Sequence, residues 1–418
     1  MLKRKIAIVV QRYGKEINGG AEVHARMIAE KLHDKYDITV LTSRAIDYHT
    51  WKPLLKEGVQ YENDIKIIRF DHPCRDKKNL RKITNKIKGR TLWQLLNRLL
   101  NNPRWLHYLK PNVIVAQKDY EDWAFYQGPA TEDLIRHIKE YKNEYDVFIF
   151  FTYLYFPTIF GLKEVGDKSI LIPTMHDEKP AYYDIFKKIM QYPKWIFFNT
   201  EAEKKFSEKL FDIKSNKKEV VAVGIDLNIV IENKQVLNKF KIKKPYIIYV
   251  GRIDAAKGCQ DLIKYFKNFI SINDADLELV LVGKNMMKEE KHPDIIYTGF
   301  ISDEEKNHLI ANAKLLVVPS YYESLSLVLL EAFSLKIPVL ANGLCDVLYD
   351  HINNSKAGLT YTNQNEFNNA LGLLIGEREM GKNMGENGYN YVLNNYTWKR
   401  VISKFDLAIQ DISENNNS

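Results

Sequence analysis

The feature that most constrains this chain is a series of short, continuously apolar segments separated by helical stretches, and the series starts twice. Residues 6–10, 37–43, 65–70, 145–151, 169–174 and 195–200 form the first series. Residues 246–250, 277–283, 295–297, 314–318 and 337–340 form the second. Apolar character on both faces suits parallel strands covered by helices above and below. Each series opens as strand, glycine-containing loop, helix. The pattern predicts an α/β chain with two doubly wound parallel sheets, and 418 residues are enough for two sizeable cores. The boundary is expected near 215–225, giving a first domain over 1–220 and a second over 221–397. Between Ser43 and Ile65, Trp51 and Gly58 lie in a polar connection. Tyr391, Val392, Trp398, Val401, Ile402, Phe405, Leu407 and Ile409 suggest long amphipathic helices near the end.

The most informative stretch is PSYYESLSLVLLEAFSLKIP at 319–338. Pro319 has no N–H for a ladder, so it ends the strand before it. Ser324 or Ser326 is expected to cap a new helix, whose apolar run is too continuous for a surface helix. Glu331 lies inside that run, where a bare carboxylate is unfavourable, so it must meet a backbone amide, a cation or a ligand hydroxyl. The helix N-terminus offers unbonded amides and partial positive charge, which suit phosphate. A carboxylate two turns along suits ribose hydroxyls. The bland alternative is a buried helix with a capping Glu323 and a structurally paired Glu331.

Upstream, GRIDAAKG at 251–258 follows a strand pattern and precedes a helix. Gly251 allows a sharp strand exit. Arg252 can fork onto phosphate oxygens and Lys257 acts as a point charge. Two such cations beside a helix N-terminus suffice to neutralise a leaving diphosphate without a metal.

The two glutamates separated by seven residues in ESLSLVLLEAFSLKIPVLANG, with the Gly-Arg…Lys-Gly pair upstream, resemble glycosyltransferase family 4, the retaining GT-B glycosyltransferases (glycosyl transferases group 1). The specific motifs span about 246–400. The resemblance implies two Rossmann-like domains facing each other across a crevice, with a last helix at about 398–414 crossing back to the first. It implies donor binding by Ser324, Leu325, Ser326, Leu327, Val328 and Glu331, and by Phe300 and Ile301, whose turn lies against the nucleotide base. Glu323 would hold sugar hydroxyls. Position 326 is Ser where the family often has Gly, which leaves the sugar in doubt rather than the class of activity.

In the first domain INGGAEVHARMIAEKL carries Gly19 and Gly20 at a helix start, where glycine serves either a tight turn or close approach of a ligand. The resemblance assigns this loop to the donor phosphate or the acceptor. Ligands bind beyond the carboxyl ends of parallel strands, so Tyr153 and Tyr155 could meet an acceptor, although core packing is the commoner role. His176 follows another strand end. Alone it reads as structural; the resemblance places it near the donor sugar, with Asp177 orienting it or capping the next helix. Thr200 with Glu203 has the form of a capping box. Asp346 and His351 read as structural.

Between 75 and 110 there are eleven Lys or Arg residues against the single acid Asp76, a local balance of +10 where the whole chain carries +8. Leu80, Ile83, Ile87, Leu95, Leu96, Leu99 and Leu100 recur at helical spacing with Trp93, Trp105 and Tyr108 among them. This suits docking on an anionic membrane, or a solvated basic face over a core-facing stripe. Nucleic acid is not expected, because no recognised module accompanies the patch. No apolar run is long enough to span a bilayer, and Gln11-Arg12 interrupts the first one, so a cytoplasmic protein is expected. Cys74, Cys259 and Cys345 form a sparse, odd set, arguing against a disulfide framework or zinc site.

The resulting expectation is a retaining glycosyltransferase moving sugar from a nucleotide-diphosphate sugar to a glycan or lipid-linked acceptor, without cofactor or metal, using His176, Arg252, Lys257 and Glu323. The rivals are a sugar-nucleotide epimerase of the same architecture and a non-catalytic partner subunit of a glycan-assembly complex.

Overall fold

The computed structural model describes residues 3–17, 19–99, 115–213, 217–227 and 234–415. The chain divides into two compact units, Met1–Val223 with Ile402–Ser418, and Gly224–Val401.

In the first unit the elements run β1 (Lys5–Val9), α1 (Gly20–His33), β2 (Asp37–Ser43), β3 (Gly58–Glu62), β4 (Ile65–Phe70), α2 (Lys77–Leu99), α3 (Gln117–Gln127), α4 (Glu132–Tyr141), β5 (Val147–Phe151), α5 (Phe156–Val165), β6 (Ser169–Ile172), α6 (Asp184–Ile189), β7 (Trp195–Phe198), α7 (Glu201–Phe211) and β8 (Lys217–Val220). The sheet order is β3-β4-β2-β1-β5-β6-β7-β8, parallel except for β3 against β4. The central strands are the continuously apolar segments: every residue of β5 and β6 is buried.

The antiparallel strand β3 corrects the reading of the stretch between Ser43 and Ile65 as a polar connection. It pairs with β4 through a turn at Asn63-Asp64, both with positive φ (51° and 63°). Such a two-residue turn matches the twist of the strands it joins. Val59 and Tyr61 of β3 stay exposed, so the edge strand lacks the buried signature of its neighbours.

The apolar stripe Leu80, Ile83 and Ile87 of α2 faces the core, with Ile87 wholly buried. Lys77, Lys78, Arg81, Lys82 and Lys88 point to solvent, and Lys86 pairs with Asp119 at 2.7 Å. In these turns the basic face is solvated over a core-facing stripe. Positions 100–110 of the basic segment lie outside the described residues.

The second unit runs α8 (Lys234–Lys239), β9 (Tyr246–Val250), α9 (Cys259–Asn273), β10 (Glu278–Val282), β11 (Ile295–Gly299), α10 (Asp303–Ala311), β12 (Leu315–Val318), α11 (Leu327–Ser334), β13 (Val339–Asn342), α12 (Asp346–Ser355), β14 (Gly358–Tyr361), α13 (Gln364–Gly376), α14 (Arg378–Asn395) and α15 (Trp398–Asn415). Its strands pair in parallel in the order β11-β10-β9-β12-β13-β14. From Ile402 onward α15 belongs to the first unit. There Phe405 meets Phe197 edge to face at 5.0 Å, and Asp411 accepts from Trp195 Nε1 at 2.9 Å and pairs with Lys217 at 2.5 Å. Among the described residues no helix is long and apolar enough to cross a membrane.

Candidate functional site

In the second unit the candidate side chains gather at the carboxyl ends of β9, β11 and β12. After β9 the loop turns so that Asp254 caps the short turn Ala255–Lys257, its Oδ1 accepting from the Lys257 amide at 2.8 Å. The other carboxylate oxygen of Asp254 takes the Arg252 guanidinium, which is part-exposed. The Tyr249 hydroxyl donates to the Arg252 carbonyl at 2.7 Å, fixing the loop from beneath. Gly258 ends the turn in the left-handed region at φ 75°, and a Cβ there would lie 2.2 Å from the Pro319 carbonyl oxygen. Only glycine permits that approach. It brings the loop after β12 against the loop after β9, and Lys257 Nζ meets Glu323 Oε1 at 2.7 Å.

The sequence expectation joined Arg252, Lys257 and Glu323, and the structure brings them together, but with the cations already partnered. Lys257 holds the carboxylate expected to bind sugar hydroxyls. Arg252 holds Asp254, a residue the sequence reading passed over.

Helix α11 starts at Leu327. Its interior residues Leu329, Leu330, Ala332 and Phe333 are buried, and Leu325 before it is buried too. Ser324, Leu327 and Val328 are half-buried. The expected serine cap is absent. Ser326 occupies the N-cap position with φ 64° and ψ 74°, and its side chain makes no capping bond. A capping residue normally has extended backbone, from which its oxygen reaches the first-turn amides.

Glu331 finds its partner in Lys306 of α10, at 2.9 Å; Lys306 also reaches Asp303 at 3.0 Å. The Lys306 side chain is 17% exposed and that of Glu331 29%. Burial pushes the Glu331 carboxyl above the ordinary carboxylate range, and the Lys306 ammonium opposes that shift. The remaining exposure and the short contact hold the two as an ion pair. Of the three partners left open for Glu331, the structure selects a cation. Phe300 is 72% exposed and Ile301 half-buried, just before the capping box of Ser302 and Glu305 that starts α10.

Behind this loop His351 is fully buried. Its Nε2 lies 2.9 Å from the Leu325 carbonyl, which can only accept, so Nε2 carries the proton. Nδ1 then accepts from the Tyr391 hydroxyl at 3.3 Å. Burial holds the ring down at about 4, so it stays neutral.

The first unit carries its own polar cluster at strand ends. Gly19 is the N-cap of α1, with ordinary extended backbone. A Cβ on Gly19 would sit 2.0 Å from Glu22 Oε2, whereas Gly20 faces open space. The Gly19 position thus makes room for a buried pair that the sequence did not reveal. Arg12 and Glu22 meet at 2.5 Å, and Gln11 Nε2 donates to the same carboxylate at 2.8 Å. Thr152 and Thr174, just beyond β5 and β6, have φ of 64° and 49°. Such backbone is a real outlier for a β-branched residue. Thr152 Oγ1 donates to Gln11 Oε1 at 3.1 Å.

His176 is part-exposed, and its Nε2 lies 3.8 Å from Glu178 rather than on Asp177. Asp177 accepts from the Tyr182 hydroxyl at 2.8 Å, and the next turn has Glu178, not Asp177, at its N-cap. Tyr153 packs in the core and donates to Glu178 at 2.7 Å, and Tyr155 meets Trp51 edge to face. Thr200 does cap α7. Glu203 does not complete the box, because its two oxygens accept from the amides of Met175 and Asn199, both at 2.6 Å. Burial pushes the Glu203 carboxyl up to about 8, against those two amide donors. The residue before His176 is therefore pinned to the end of β7.

Comparison with known proteins finds a family match in the second unit. Residues 230–391 match the family described as Glycosyl transferases group 1. The matched domain lies in the second unit and covers less than half of the chain. This domain contains Arg252, Lys257, Lys306, Glu323 and Glu331. With a second Rossmann-like unit before it, the architecture is GT-B. The chain is 29% identical over 119 residues to the alpha-D-kanosaminyltransferase of Streptomyces kanamyceticus, covering 26% of this chain and 31% of that protein. It is 24% identical over 224 residues to the capsular polysaccharide biosynthesis glycosyltransferase CapM of Staphylococcus aureus, covering 47% of this chain and 57% of that protein. The alignments thus span from under a third to somewhat over half of these relatives' own lengths. In fold, the chain resembles Anabaena HepE, solved in complex with UDP, at a TM-score of 0.68 and 14% identity over 97% of this chain and 100% of that one.

Proposed function

We propose that this protein is a retaining glycosyltransferase of family 4. It transfers a sugar from a nucleotide-diphosphate sugar to a hydroxyl of a glycan or lipid-linked acceptor, in the synthesis of a surface polysaccharide or glycolipid. The observation that carries this reading is the Lys257–Glu323 contact at 2.7 Å, placed before the N-terminus of α11 with Glu331 farther along the same helix. The names of the relatives, among them a capsular polysaccharide glycosyltransferase, and a structural neighbour holding UDP and glucose support it.

On this reading the diphosphate approaches the first-turn amides of α11, and Lys257 and Arg252 turn from their carboxylates towards it. Charge developing on the leaving phosphate is then met by groups already in place. Glu323, released by Lys257, accepts from sugar hydroxyls, while Glu331 accepts from the ribose with Lys306 holding it. His176 contacts the donor sugar. The acceptor hydroxyl attacks on the face the diphosphate leaves, and the departing phosphate takes its proton. Two cations and a helix end supply the positive charge, so transfer is expected to survive a chelator. Membrane contact, if made through the described part of α2, is electrostatic, at about 1 kcal/mol for each basic side chain near an anionic surface. Sedimentation with neutral and anionic liposomes tests it, and equal binding to both sinks it.

The deciding experiment follows the anomeric proton of the product by NMR with a competent donor and acceptor. Retention of configuration is expected. Inversion, or conversion of the donor without transfer, overturns the reading.

A further inference from the structure

The turn that carries His176 is held by a carboxylate from another element. After β6 the chain bends at Thr174 into the left-handed region, with φ 49°, which is unfavourable for a β-branched residue. An extended continuation would send successive side chains to opposite faces, and the bend at Thr174 breaks that alternation. Met175 goes into the core at 1% exposure, and His176 follows it part-exposed. Strained backbone persists where its surroundings impose it. Here the Met175 amide donates to Glu203 Oε1 at 2.6 Å, and the Ser207 hydroxyl donates to Met175 Sδ at 3.5 Å. Both partners lie on α7. Glu203 Oε2 accepts from the Asn199 amide at 2.6 Å, so one carboxylate ties the turn after β6 to the end of β7. Glu203 is buried, and among the described residues no cation pairs with it. A buried carboxylate without a cation is costly. A capping box would have turned it back to the Thr200 amide; it reaches to two strand ends instead.

We propose that Glu203 is a positioning residue for the transfer reaction: it holds the Thr174–His176 turn in the bend that presents His176 to the donor sugar. This rests on the role given to His176 above and deepens it. Glu203 touches no substrate and acts through the Met175 amide. Without that acceptor the amide is left buried and unbonded, Thr174 is free to relax towards extended backbone, and the side chain at 176 turns away.

Calorimetric titration of the full chain with UDP, GDP, ADP and their glucose and mannose conjugates gives, for the nucleotide that binds tightest, one affinity for the diphosphate and one for its sugar conjugate. The ratio of the two reports the sugar contact. H176A should shift that ratio against the conjugate by about 3- to 10-fold, the loss of one neutral hydrogen bond. E203Q and E203D should shift it by a similar factor and leave the diphosphate affinity unchanged: the glutamine offers one acceptor oxygen in place of two, and the aspartate draws the carboxylate back from both amides. E203Q/H176A should lose no more than H176A, since one residue acts through the other. T200A removes the cap of the same helix without touching Met175 and should leave the ratio unchanged, which separates positioning from loss of stability. An equal shift in T200A, an additive double variant, or a ratio unchanged in E203Q and E203D while H176A shifts it, overturns the inference and leaves the His176 contact standing. A ratio unchanged in H176A, or a wild type that binds none of these nucleotides, overturns the inference together with the reading it rests on.

Discussion

Replacing Lys306 with methionine removes the cation that satisfies Glu331 and keeps a similar volume. Breaking a wholly buried pair costs about 3–5 kcal/mol, and an exposed pair contributes about 0.2–1 kcal/mol. Lys306 is 17% exposed and Glu331 29%, so K306M should fall between, at about 1.5–3 kcal/mol. For a unit of this size that is a drop of roughly 3–12 °C in Tm. The loss should depend on pH. Without Lys306, burial, helped by the nearby Asp303 carboxylate, holds the folded pKa of Glu331 above the unfolded one. The folded state then keeps a proton that the unfolded state releases. Stability is fullest below the unfolded pKa and declines as pH rises. K306M should therefore lose less at pH 5 than at pH 8. Urea unfolding of wild type, K306M, E331Q and K306M/E331Q across that range gives the coupling directly, expected at about 1–2 kcal/mol near pH 7. A K306M protein within about 0.5 kcal/mol of wild type at every pH, or a coupling of zero, refutes the argument that Lys306 is what stabilises a carboxylate inside α11.

Three further outcomes are expected. Glu331→Ala should mainly weaken donor binding, whereas Lys257→Ala should mainly lower kcat; unchanged steady-state kinetics in both would remove them from the site. The neutral, buried His351 has a folded pKa depressed to about 4, so its contribution is present above the unfolded value near 6.5 and is lost as pH falls towards 4. The wild type should lose about 2 kcal/mol from this group between pH 7 and pH 5, and H351Q should lose that part of the pH dependence in urea unfolding. Thr200→Ala removes the α7 cap and should cost about 1 kcal/mol by the same measurement, with no change in donor affinity.

The inner strands of both sheets were legible because a parallel strand covered on two faces must be apolar throughout, as 147–151 and 315–318 are, while the short edge strands β8 (KKEV) and β14 (GLTY) escaped the reading. Edge strand β3 was not legible, because Val59 and Tyr61 remain exposed and the pattern is too weak to separate from a connection. In the candidate site, Arg252, Lys257, Glu323 and Glu331 stood out by residue type and spacing within two stretches of chain, 251–258 and 319–338. Their partners did not. Lys306 lies 25 residues before Glu331 on another helix, and the expectation went no further than naming a cation as one of three options. Arg12 was read only as interrupting an apolar run and Glu22 was given no role; the folded loop around Gly19 places them together. Serine at 326 was misread for a sound physical reason. Serine is a good helix cap, and nothing in the letters says that its backbone is left-handed. Glu203 was likewise taken for half of a capping box, because the competing amide of Met175 arrives from a strand end 28 residues away.

The measurement that bears most directly on the donor site is titration of the full chain with UDP, GDP, ADP and their sugar conjugates, alongside Lys257→Ala. One nucleotide should bind selectively. At about 100 times its dissociation constant it should add about 2.7 kcal/mol to the stability of the wild type, and Lys257→Ala should bind it more weakly. Binding of no nucleotide, or equal binding with and without Lys257, would contradict a diphosphate cradle between the loops after β9 and β12.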